Sequence, residues 1–564
     1  MGSRLFHLPN RPSGQVGLLL ALCFVLFFVN LGQWDLWNPD EPRYAQVARE
    51  MVHRGDWILM HFNGERYGDK PPLFFWLIAL SSFLWNGFTS FSVRFPSAFF
   101  ATLTVLLTFL LGRRLFSTRT GFISGLVLAT SLEFAYLATR ANIDATLTFF
   151  TTAAFFCFVK WHWEMTPPSQ GERGDPMGPS FRQNQREGEG SLLIFGFYIA
   201  MALATLTKGP VGFILPLLVS LAYLAVRRDW DGIKRMRLLP GMILFLLIVF
   251  AWYGPALLKG GKEYFNETIL LHTVDRFAKG SSHIRPFYYY LYNFPADFLP
   301  WIFFLPGALA HGLSTRKEGL KREFLFLLVW FAVIFLFFSL SKGKRGLYLL
   351  PLFPAVSLMV GKFWEDYISG SVRNLHPRWF TIPFHILLGL LLGLGVGVLY
   401  VVSTKFDSYL YHSLPVGFLF IGGSLALFLL CRFGKRLALL LLIVGIMGGT
   451  IFYTQSVIFP ALNPFKSARF ISEEVTSRIR PGEKLAVYGI PVIAPYSYYT
   501  GIVPILELHK REDLLRLFQS TERVFCLLKY REFAQMQGKE GMPEMKVIAR
   551  RKVGGDDVVL VSNR

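Results

Sequence analysis

The stretch Trp34–Pro72, WDLWNPDEPRYAQVAREMVHRGDWILMHFNGERYGDKPP, directly follows the first apolar segment of the chain. Charged side chains stand here between two hydrophobic segments, namely Asp40, Glu41, Arg43, Asp69 and Lys70. Moving one charge to the middle of a bilayer costs roughly 2.5–3.5 kcal/mol on insertion scales. Charges so close to apolar segments are therefore either solvated or functional, and the rest of the sequence decides between these two interpretations.

The composition is that of a polytopic membrane protein. The chain has 564 residues, of which 53% are hydrophobic and 17% are charged, and 57 of them are Phe. Long apolar runs recur from residue 16 to about residue 455, which indicates repeated crossing of a bilayer. The first run, Val16–Leu31, lacks a small-residue cleavage site before Trp34, so we expect a retained helix rather than a cleaved signal peptide.

The hydropathy pattern predicts about thirteen transmembrane helices. They lie at roughly 16–33, 93–111, 121–138, 145–162, 191–208, 210–226, 239–258, 294–313, 323–341, 346–361, 381–402, 414–431 and 437–455. If one further apolar stretch, Pro71–Gly87, also crossed the membrane, the basic loops that follow it would lie on the opposite side. We therefore expect it to lie at the outer interface, a location that Trp76 and Trp85 favour.

Short loops rich in Lys and Arg set the orientation, because such loops stay on the cytoplasmic side. They place the N-terminus inside, and they place on the outer face the loops 34–70, 139–144, 259–293 and 342–346. Residues 1–455 are thus predicted to form a transmembrane domain with functional outer loops. Residues 456–564 are predicted to form a soluble domain on the same outer face.

The pattern of this tail indicates a small α/β domain. Short buried strands are predicted at 484–490, 503–508, 524–530 and 558–562, with a helix at 513–520. The tail contains neither a Gly-rich phosphate loop nor a nucleophile elbow. We expect it to support the membrane domain or to dock the acceptor.

The net charge of +21 does not indicate nucleic-acid binding, because the basic residues lie mostly in short loops between apolar segments. Membrane topology and anionic lipids explain that distribution. The four cysteines, Cys23, Cys157, Cys431 and Cys526, are scattered. We therefore expect neither a disulfide nor a thiolate metal site.

The unusual polar motifs all fall on the predicted outer face. They are TRANIDA with Asp144, LTKGP with Lys208, HTVDRF with His272 and Arg276, and SKGKRGLYLLP with Lys344, Arg345 and Tyr348. Several cations and a few carboxylates on one membrane face suit a lipid substrate that carries phosphate.

Simpler roles stay open for each of these residues. Asp40 or Asp144 can cap a helix, and Lys70 can extend its ammonium group to the interface. His272 alone is more typical of a surface histidine than of a metal ligand. Lys344 and Arg345 can be flanking charges, although cations on the outer face run against the usual bias.

The motifs PDEPRYA, YGDKPP, ANIDATLTFF, LTKGPVG, RPFYYYL and GLYLLPLFPA occur in this order. Together they resemble those of the integral-membrane GT-C glycosyltransferases, in the superfamily of protein O-mannosyltransferases and aminoarabinose (lipid A) transferases. The resemblance covers roughly residues 30–360. It implies a polytopic α-helical GT-C fold, and the outer domain at the end of the chain is similar to that of the aminoarabinose transferases.

The resemblance also implies roles for individual residues. Asp40, Lys70 and Asp144 match catalytic positions. Further residues match the lipid-phosphate pocket or are expected to bind substrate, and these are Glu41, Arg43, Tyr44, Tyr67, Lys208, Arg276, Lys344, Arg345 and Tyr348. Family members often have Glu before the lysine, sometimes as a metal ligand with a histidine. Asp69 and His272 take these places here and form a candidate zinc-like divalent site.

The implied reaction transfers a hexosyl or pentosyl group, with inversion, from a polyprenyl (undecaprenyl) phosphate donor. The positive outer face favours an anionic acceptor such as lipid A, while protein and polysaccharide acceptors stay open. Asp40 would act as base or as orienting group. We expect a monomer in the bacterial inner membrane, surrounded by lipid, with its active site in the periplasm and no nucleic-acid partner. A lipid flippase is the alternative from another class.

Overall fold

A computed structural model of the chain describes residues 11–165, 179–266, 268, 283–314, 321–372, 376–405, 410–537 and 545–564. The chain forms two compact units. The first, here called the membrane unit, consists of Met1–Val29, Gly68–Phe74 and Ser97–Tyr453. The second, here called the tail unit, consists of Asn30–Tyr67, Phe75–Pro96 and Thr454–Arg564.

Helices make up nearly all of the described membrane unit. Its helices are Pro12–Cys23, Thr118–Ala129, Leu132–Ala138, Ile143–Met165, Pro179–Lys208, Val211–Val226, Trp230–Arg235, Leu238–Phe265, Tyr289–Asp297, Leu305–Ser314, Arg322–Leu340, Phe353–Ser369, Arg378–Lys405, Leu410–Arg432 and Arg436–Tyr453. A π-helical turn, Phe24–Phe28, extends the first of them, and 3-10 turns lie at Trp301–Phe304 and Gly346–Leu352. Helices Leu73–Leu84 and Ser90–Leu115 each begin in one unit and end in the other.

Each of the thirteen predicted spans coincides with an apolar helix or a bent helix pair. Within the described ranges, nine helices are long and apolar enough to cross a membrane, and up to eleven spans result if each bent pair counts as one. Three apolar helices are shorter, namely Pro12–Phe28, Leu73–Leu84 and Val211–Val226. The chain is therefore a multi-pass membrane protein. Leu73–Leu84 has 12 residues, about 18 Å at 1.5 Å per residue, a length that favours the predicted interfacial position.

Two predicted spans are bent, which a hydropathy window does not detect. Thr118–Ala129 and Leu132–Ala138 meet at 71°, and Tyr289–Asp297 and Trp301–Ser314 meet at 113°. At the first bend Ser131 has an extended backbone (ψ 136°). At the second bend Pro300 precedes the 3-10 turn, and proline supplies no N–H group for a continuous helix.

Small residues let helices of the membrane unit approach closely, as is common at helix interfaces in membranes. A Cβ atom at Gly112 would lie 2.5 Å from the Cα atom of Gly121. One at Gly361 would lie 2.9 Å from the Cα atom of Ser124. The helix Thr118–Ala129 is thus in close contact with neighbours on two sides.

Substitution of Gly361 by Val should destabilise this packing, because the added atoms overlap the backbone of Ser124. Overpacking of this kind typically costs about 1–3 kcal/mol. Gly389→Val is the matched control, since no heavy atom lies within 4 Å of a Cβ built there. We expect a lower apparent melting temperature in detergent for Gly361→Val only. Equal melting of the two variants would contradict this packing.

The tail unit is mixed α/β. Its strands are β1 (His61–Phe62), β2 (Glu65–Arg66), β3 (Lys484–Tyr488), β4 (Leu506–Leu508), β5 (Val524–Lys529), β6 (Lys546–Val553) and β7 (Asp556–Ser562). Its helices are Asp40–Arg54, Phe459–Lys466, Arg469–Thr476, Ala494–Thr500, Arg511–Phe518 and Tyr530–Met536, with a π turn at Thr454–Ile458. Strands β3–β7 form one sheet in the order β4-β3-β5-β7-β6, in which β3, β4 and β5 are parallel and β6 and β7 are antiparallel.

The predicted strands and helix of the tail are confirmed, and both faces of the sheet are covered by buried apolar residues. The sequence prediction missed β6, KVIARRKV. This strand lies at the edge of the sheet, and within it only Val553 is fully buried. Because one face of an edge strand is exposed to solvent, its charged side chains hide the apolar alternation that marks a buried strand.

The stretch predicted as outer loop 34–70 is largely ordered and groups with the tail. It contains the helix Asp40–Arg54 and the β1–β2 hairpin. Asn63 exchanges two hydrogen bonds with the backbone of Ile505, at 2.9 and 2.7 Å, and Arg49 donates to the carbonyl oxygen of Tyr498 at 2.7 Å. The predicted boundary near residue 455 coincides with the return of the chain to the tail unit. The sequence did not predict that residues 30–67 belong to the tail unit.

Candidate functional site

Asp40 is the first residue of the helix Asp40–Arg54. Its carboxylate accepts a hydrogen bond from the Nη2 atom of Arg43 at 2.6 Å. The two side chains are one helical turn apart and are 20% and 30% exposed. A carboxylate in the first turn is favoured by the helix dipole. The pair therefore presents a fixed, partly accessible guanidinium group.

A buried guanidinium group holds the start of this helix. Arg94 donates from Nε and Nη2 to the two carboxylate oxygens of Glu41, at 2.7 and 3.0 Å. Its other donors reach the carbonyl oxygens of Leu31, Trp34 and Asp35 at 2.7–3.1 Å. The side chains of Arg94 and Glu41 are 0% and 2% exposed. The guanidinium group thus has partners in every direction, as a buried charge requires.

Glu41 was expected to bind substrate, and the structure places it in this interior ion pair, which gives it a structural role. Contact between Glu41 and substrate stays a prediction. Sequence reasoning missed Arg94 although a signal was present. An arginine inside a predicted span, here 93–111, is rare and usually marks a paired or functional group.

Tyr44 and Tyr67, both expected to bind substrate, lie together in the tail unit. Each ring packs edge-on against Phe75, with ring centroids 5.8 Å apart in both cases. Tyr44 is 4% exposed and Tyr67 is 8% exposed. The two rings therefore pack against helix Leu73–Leu84, and most of their surface is buried by contacts within the protein.

In the membrane unit, Asp144 is the second residue of the helix Ile143–Met165. The alternative role of Asp144 as the cap of this helix is wrong, because Asn142 caps it. The Oδ1 atom of Asn142 accepts hydrogen bonds from the backbone N–H groups of Asp144 and Ala145 at 3.0 and 3.1 Å. The carboxylate of Asp144 is therefore not needed as a cap.

The carboxylate of Asp144 instead accepts a short hydrogen bond from the Nζ atom of Lys208, the last residue of helix Pro179–Lys208. The same Nζ atom lies 4.3 Å from the ring centroid of Tyr348, within the range of a cation–π contact. The side chains of Asp144 and Lys208 are 4% and 12% exposed. Three predicted site residues, distant in sequence, thus meet at the ends of three helical segments.

Lys344 and Arg345 stabilise a neighbouring loop. The Nζ atom of Lys344 donates to the carbonyl oxygens of Ser341 and Arg285, the latter at 3.2 Å, and the side chain is buried. Burial lowers the pKa of Lys344. The carbonyl oxygen of Arg345 accepts a hydrogen bond from the hydroxyl group of Tyr290 at 3.1 Å. These contacts fix the segment that leads into Tyr348, and substrate contact of the two cations stays a prediction.

Lys70 forms an ion pair with its neighbour Asp69, with Nζ 2.8 Å from Oδ1, and both side chains are mostly buried. His272 and Arg276 lie outside the described residues. In the described part of the chain, no group of three or more His, Cys, Asp and Glu side chains has the arrangement of a metal site. Asp69 offers one carboxylate, already paired with an ammonium group. The zinc-like site therefore stays a prediction, and no chemistry is assigned to it.

Removal of Arg94 should unfold the tail unit more easily. Arg94→Met leaves the carboxylate of Glu41 buried and unpaired, a change that costs about 3–5 kcal/mol in buried ion pairs. Arg94→Lys should also destabilise, because one ammonium group cannot replace the two-pronged contact. We expect lower melting temperatures by tryptophan fluorescence for both variants. Exposed Arg516→Met is the control, and wild-type melting of Arg94→Met would contradict the role of this pair.

The chain is similar to several known proteins. The profile of the dolichyl-phosphate-mannose-protein mannosyltransferase family matches residues 15–258. The undecaprenyl phosphate-alpha-4-amino-4-deoxy-L-arabinose arabinosyl transferase of Pectobacterium carotovorum is 32% identical over 391 residues, which cover 68% of this chain and 65% of that protein. The chain thus spans slightly less than two thirds of the length of this relative.

The crystal structure of ArnT from Cupriavidus metallidurans bound to undecaprenyl phosphate superposes with a TM-score of 0.78 at 21% identity, and it covers 98% of both chains. This likeness shows that the two proteins share their fold. It confirms the predicted fold class, a polytopic helical GT-C protein with a small α/β domain.

A second arabinosyl transferase, numbered 2 in Proteus mirabilis, is 30% identical over 406 residues, which cover 71% of this chain and 68% of that protein. The chain therefore belongs to the family of undecaprenyl phosphate-alpha-4-amino-4-deoxy-L-arabinose arabinosyl transferases.

Proposed function

We propose that this protein transfers 4-amino-4-deoxy-L-arabinose from undecaprenyl phosphate to lipid A. Membership of a family whose members are named for this donor carries the proposal. The buried constellation of Asp144, Lys208 and Tyr348 supports it, because it brings together three residues that the family resemblance assigns to catalysis or substrate binding. The positive charge of the chain favours an anionic acceptor.

In the proposed reaction an acceptor oxygen attacks the anomeric carbon as the bond from that carbon to the phosphate oxygen breaks. Undecaprenyl phosphate leaves with the bonding electrons, and the configuration inverts. The negative charge that grows on the phosphate needs cations. The family resemblance makes Lys70, Arg43 and Arg276 the candidates for this role.

The geometry of Asp40 favours an orienting role. Its carboxylate holds the guanidinium group of Arg43 at 2.6 Å, so the planar donors of Arg43 point in a fixed direction. A phosphate group of lipid A is already ionised at neutral pH and has no proton to lose on attack. A general base is then unnecessary, and Asp40 acts by positioning Arg43.

The second acidic site acts in a comparable way. Lys208 neutralises Asp144 and is itself held against the ring of Tyr348. We assign Asp144 to orienting the sugar hydroxyl groups and Lys208 to fixing that carboxylate. The protein would act as a monomer in the bacterial inner membrane, with its N-terminus in the cytoplasm and its tail in the periplasm.

Purified protein, a short-chain polyprenyl-phosphate aminoarabinose donor and lipid A should yield glycosylated lipid A, detected by mass spectrometry. Asp40→Asn should lose roughly 100-fold or more in rate, as is typical when an orienting charge at a developing anion is removed. Asp231→Asn is the control, because this exposed residue pairs only with Lys234 among the described contacts.

Near-normal transfer by Asp40→Asn would contradict the assigned role. A neutral peptide offered as acceptor distinguishes lipid from protein modification. Movement of the donor across reconstituted vesicles without any transfer would instead identify a flippase and overturn the proposed function.

Lys208→Met should reduce kcat strongly, because the carboxylate of Asp144 loses its partner. Lys208→Arg should restore part of the rate, since a guanidinium group can also pair with that carboxylate. Asp144→Asn combined with Lys208→Met should be no slower than Asp144→Asn alone. Independent, multiplicative effects of the two substitutions would show that the residues act separately.

A further inference from the structure

A cavity of about 500 Å³ opens in the tail unit at the carboxyl ends of its parallel strands. Its lining includes Tyr488 and Lys529, the last residues of β3 and β5, and Glu507 within β4. It also includes Gly489 and His509, which directly follow β3 and β4, and Glu532 in the helix Tyr530–Met536 that follows β5. All of these residues belong to one compact unit. None of them is used in the proposed transfer reaction.

The strand order places this cavity where α/β sheets usually bind ligands. The chain runs from β3 through helix Ala494–Thr500 to β4, which lies on one side of β3. It then runs from β4 through helix Arg511–Phe518 to β5, which lies on the other side of β3. The connections therefore diverge at the carboxyl end of β3. Such a switch point leaves a crevice above the strand ends that is open to ligands.

The cavity carries uncompensated negative charge. Among the described residues, neither Glu507 nor Glu532 has a hydrogen bond or ion pair. The ammonium group of Lys529 is engaged by Asp556 at 2.9 Å. In a chain with a net charge of +21, such a pair of carboxylates at one cavity is an exception that favours a cationic ligand.

The side chain of Glu532 packs against the backbone of Gly489. Gly489 has φ +68°, a conformation that favours glycine, and a Cβ atom there would lie 3.2 Å from the Cγ atom of Glu532. The side chain of Glu532 therefore lies directly against bare backbone at the switch point. Glycine at this position of an α/β domain permits close approach of a ligand to the main chain.

The donor set points to an organic cation. Within the described part of the chain, no group of three or more His, Cys, Asp and Glu side chains is arranged to hold a metal ion. The remaining lining is apolar or aromatic and includes Tyr488, Ile490 and Pro491. Pockets of this volume with an apolar lining and a few polar anchors suit small molecules.

We propose that this cavity is a second binding site, which takes a protonated amino sugar. The carboxylates of Glu507 and Glu532 receive the ammonium group, and the ring of Tyr488 lies against the C–H face of the pyranose. The site goes beyond the proposed transfer reaction, which supplies only the choice of sugar. Its location in the tail suits recognition of the transferred group after or before reaction.

The test uses the full-length protein in nanodiscs of neutral phosphatidylcholine, titrated with the methyl glycoside of 4-amino-4-deoxy-L-arabinose and followed by saturation-transfer NMR. Methyl arabinoside, which lacks the amine, is the matched ligand. The double variant Glu507→Gln/Glu532→Gln removes both charges at nearly constant shape. Glu512→Gln, an exposed acidic residue of the same unit outside the lining, is the control variant.

We expect the amino sugar to saturate the wild-type protein and Glu512→Gln, and the double variant to bind about tenfold or more weakly, as loss of charged hydrogen bonds implies. Absence of binding, unchanged binding by the double variant, or equal binding of the neutral sugar would each overturn the proposal. Transfer is measured in the same preparation, so that loss of transfer bears on the proposed function and loss of binding on the cavity.

Discussion

The buried guanidinium group of Arg94 is the contact on which the candidate site of the tail unit depends. It neutralises Glu41, lies 4.3 Å from the ring centroid of Trp34, and satisfies three carbonyl groups of the preceding loop. Glu41 follows Asp40 directly, so the ion pair with Arg94 fixes the first turn of the helix Asp40–Arg54. The pair of Asp40 and Arg43 is consequently presented by a rigid element, which is what transition-state stabilisation by fixed charges requires.

The same logic operates in the membrane unit with different groups. Asn142 caps the helix, so Asp144 is available to pair with Lys208, and Lys208 is in turn held against Tyr348. Burying a charged side chain costs free energy unless the charge has a partner. In each unit, neighbouring residues that stabilise the fold therefore hold a carboxylate next to a cation. The sequence motifs contain both the stabilising residues and the charged pair.

Much of the fold could be predicted from the sequence. Long apolar runs and basic loops are strong signals, and the quoted motifs identified the family and the membrane fold. Other features depend on distant partners, which a local pattern does not contain. Glu41 pairs with a residue in another helix, the bends of two spans arise from backbone geometry, and β6 is an edge strand whose charges conceal its alternation. The contact of Asn63 with Ile505 joins segments more than 400 residues apart.

The most direct test of the function is made in bacteria that produce the aminoarabinose donor but lack their own transferase. Lipid A from such cells, expressing this chain or its Asp40→Asn variant at equal membrane levels, is compared by mass spectrometry. The account predicts lipid A that carries 4-amino-4-deoxy-L-arabinose with the wild-type chain and unmodified lipid A with the variant. Unmodified lipid A in both cases, with the wild-type protein folded in the membrane, would contradict it.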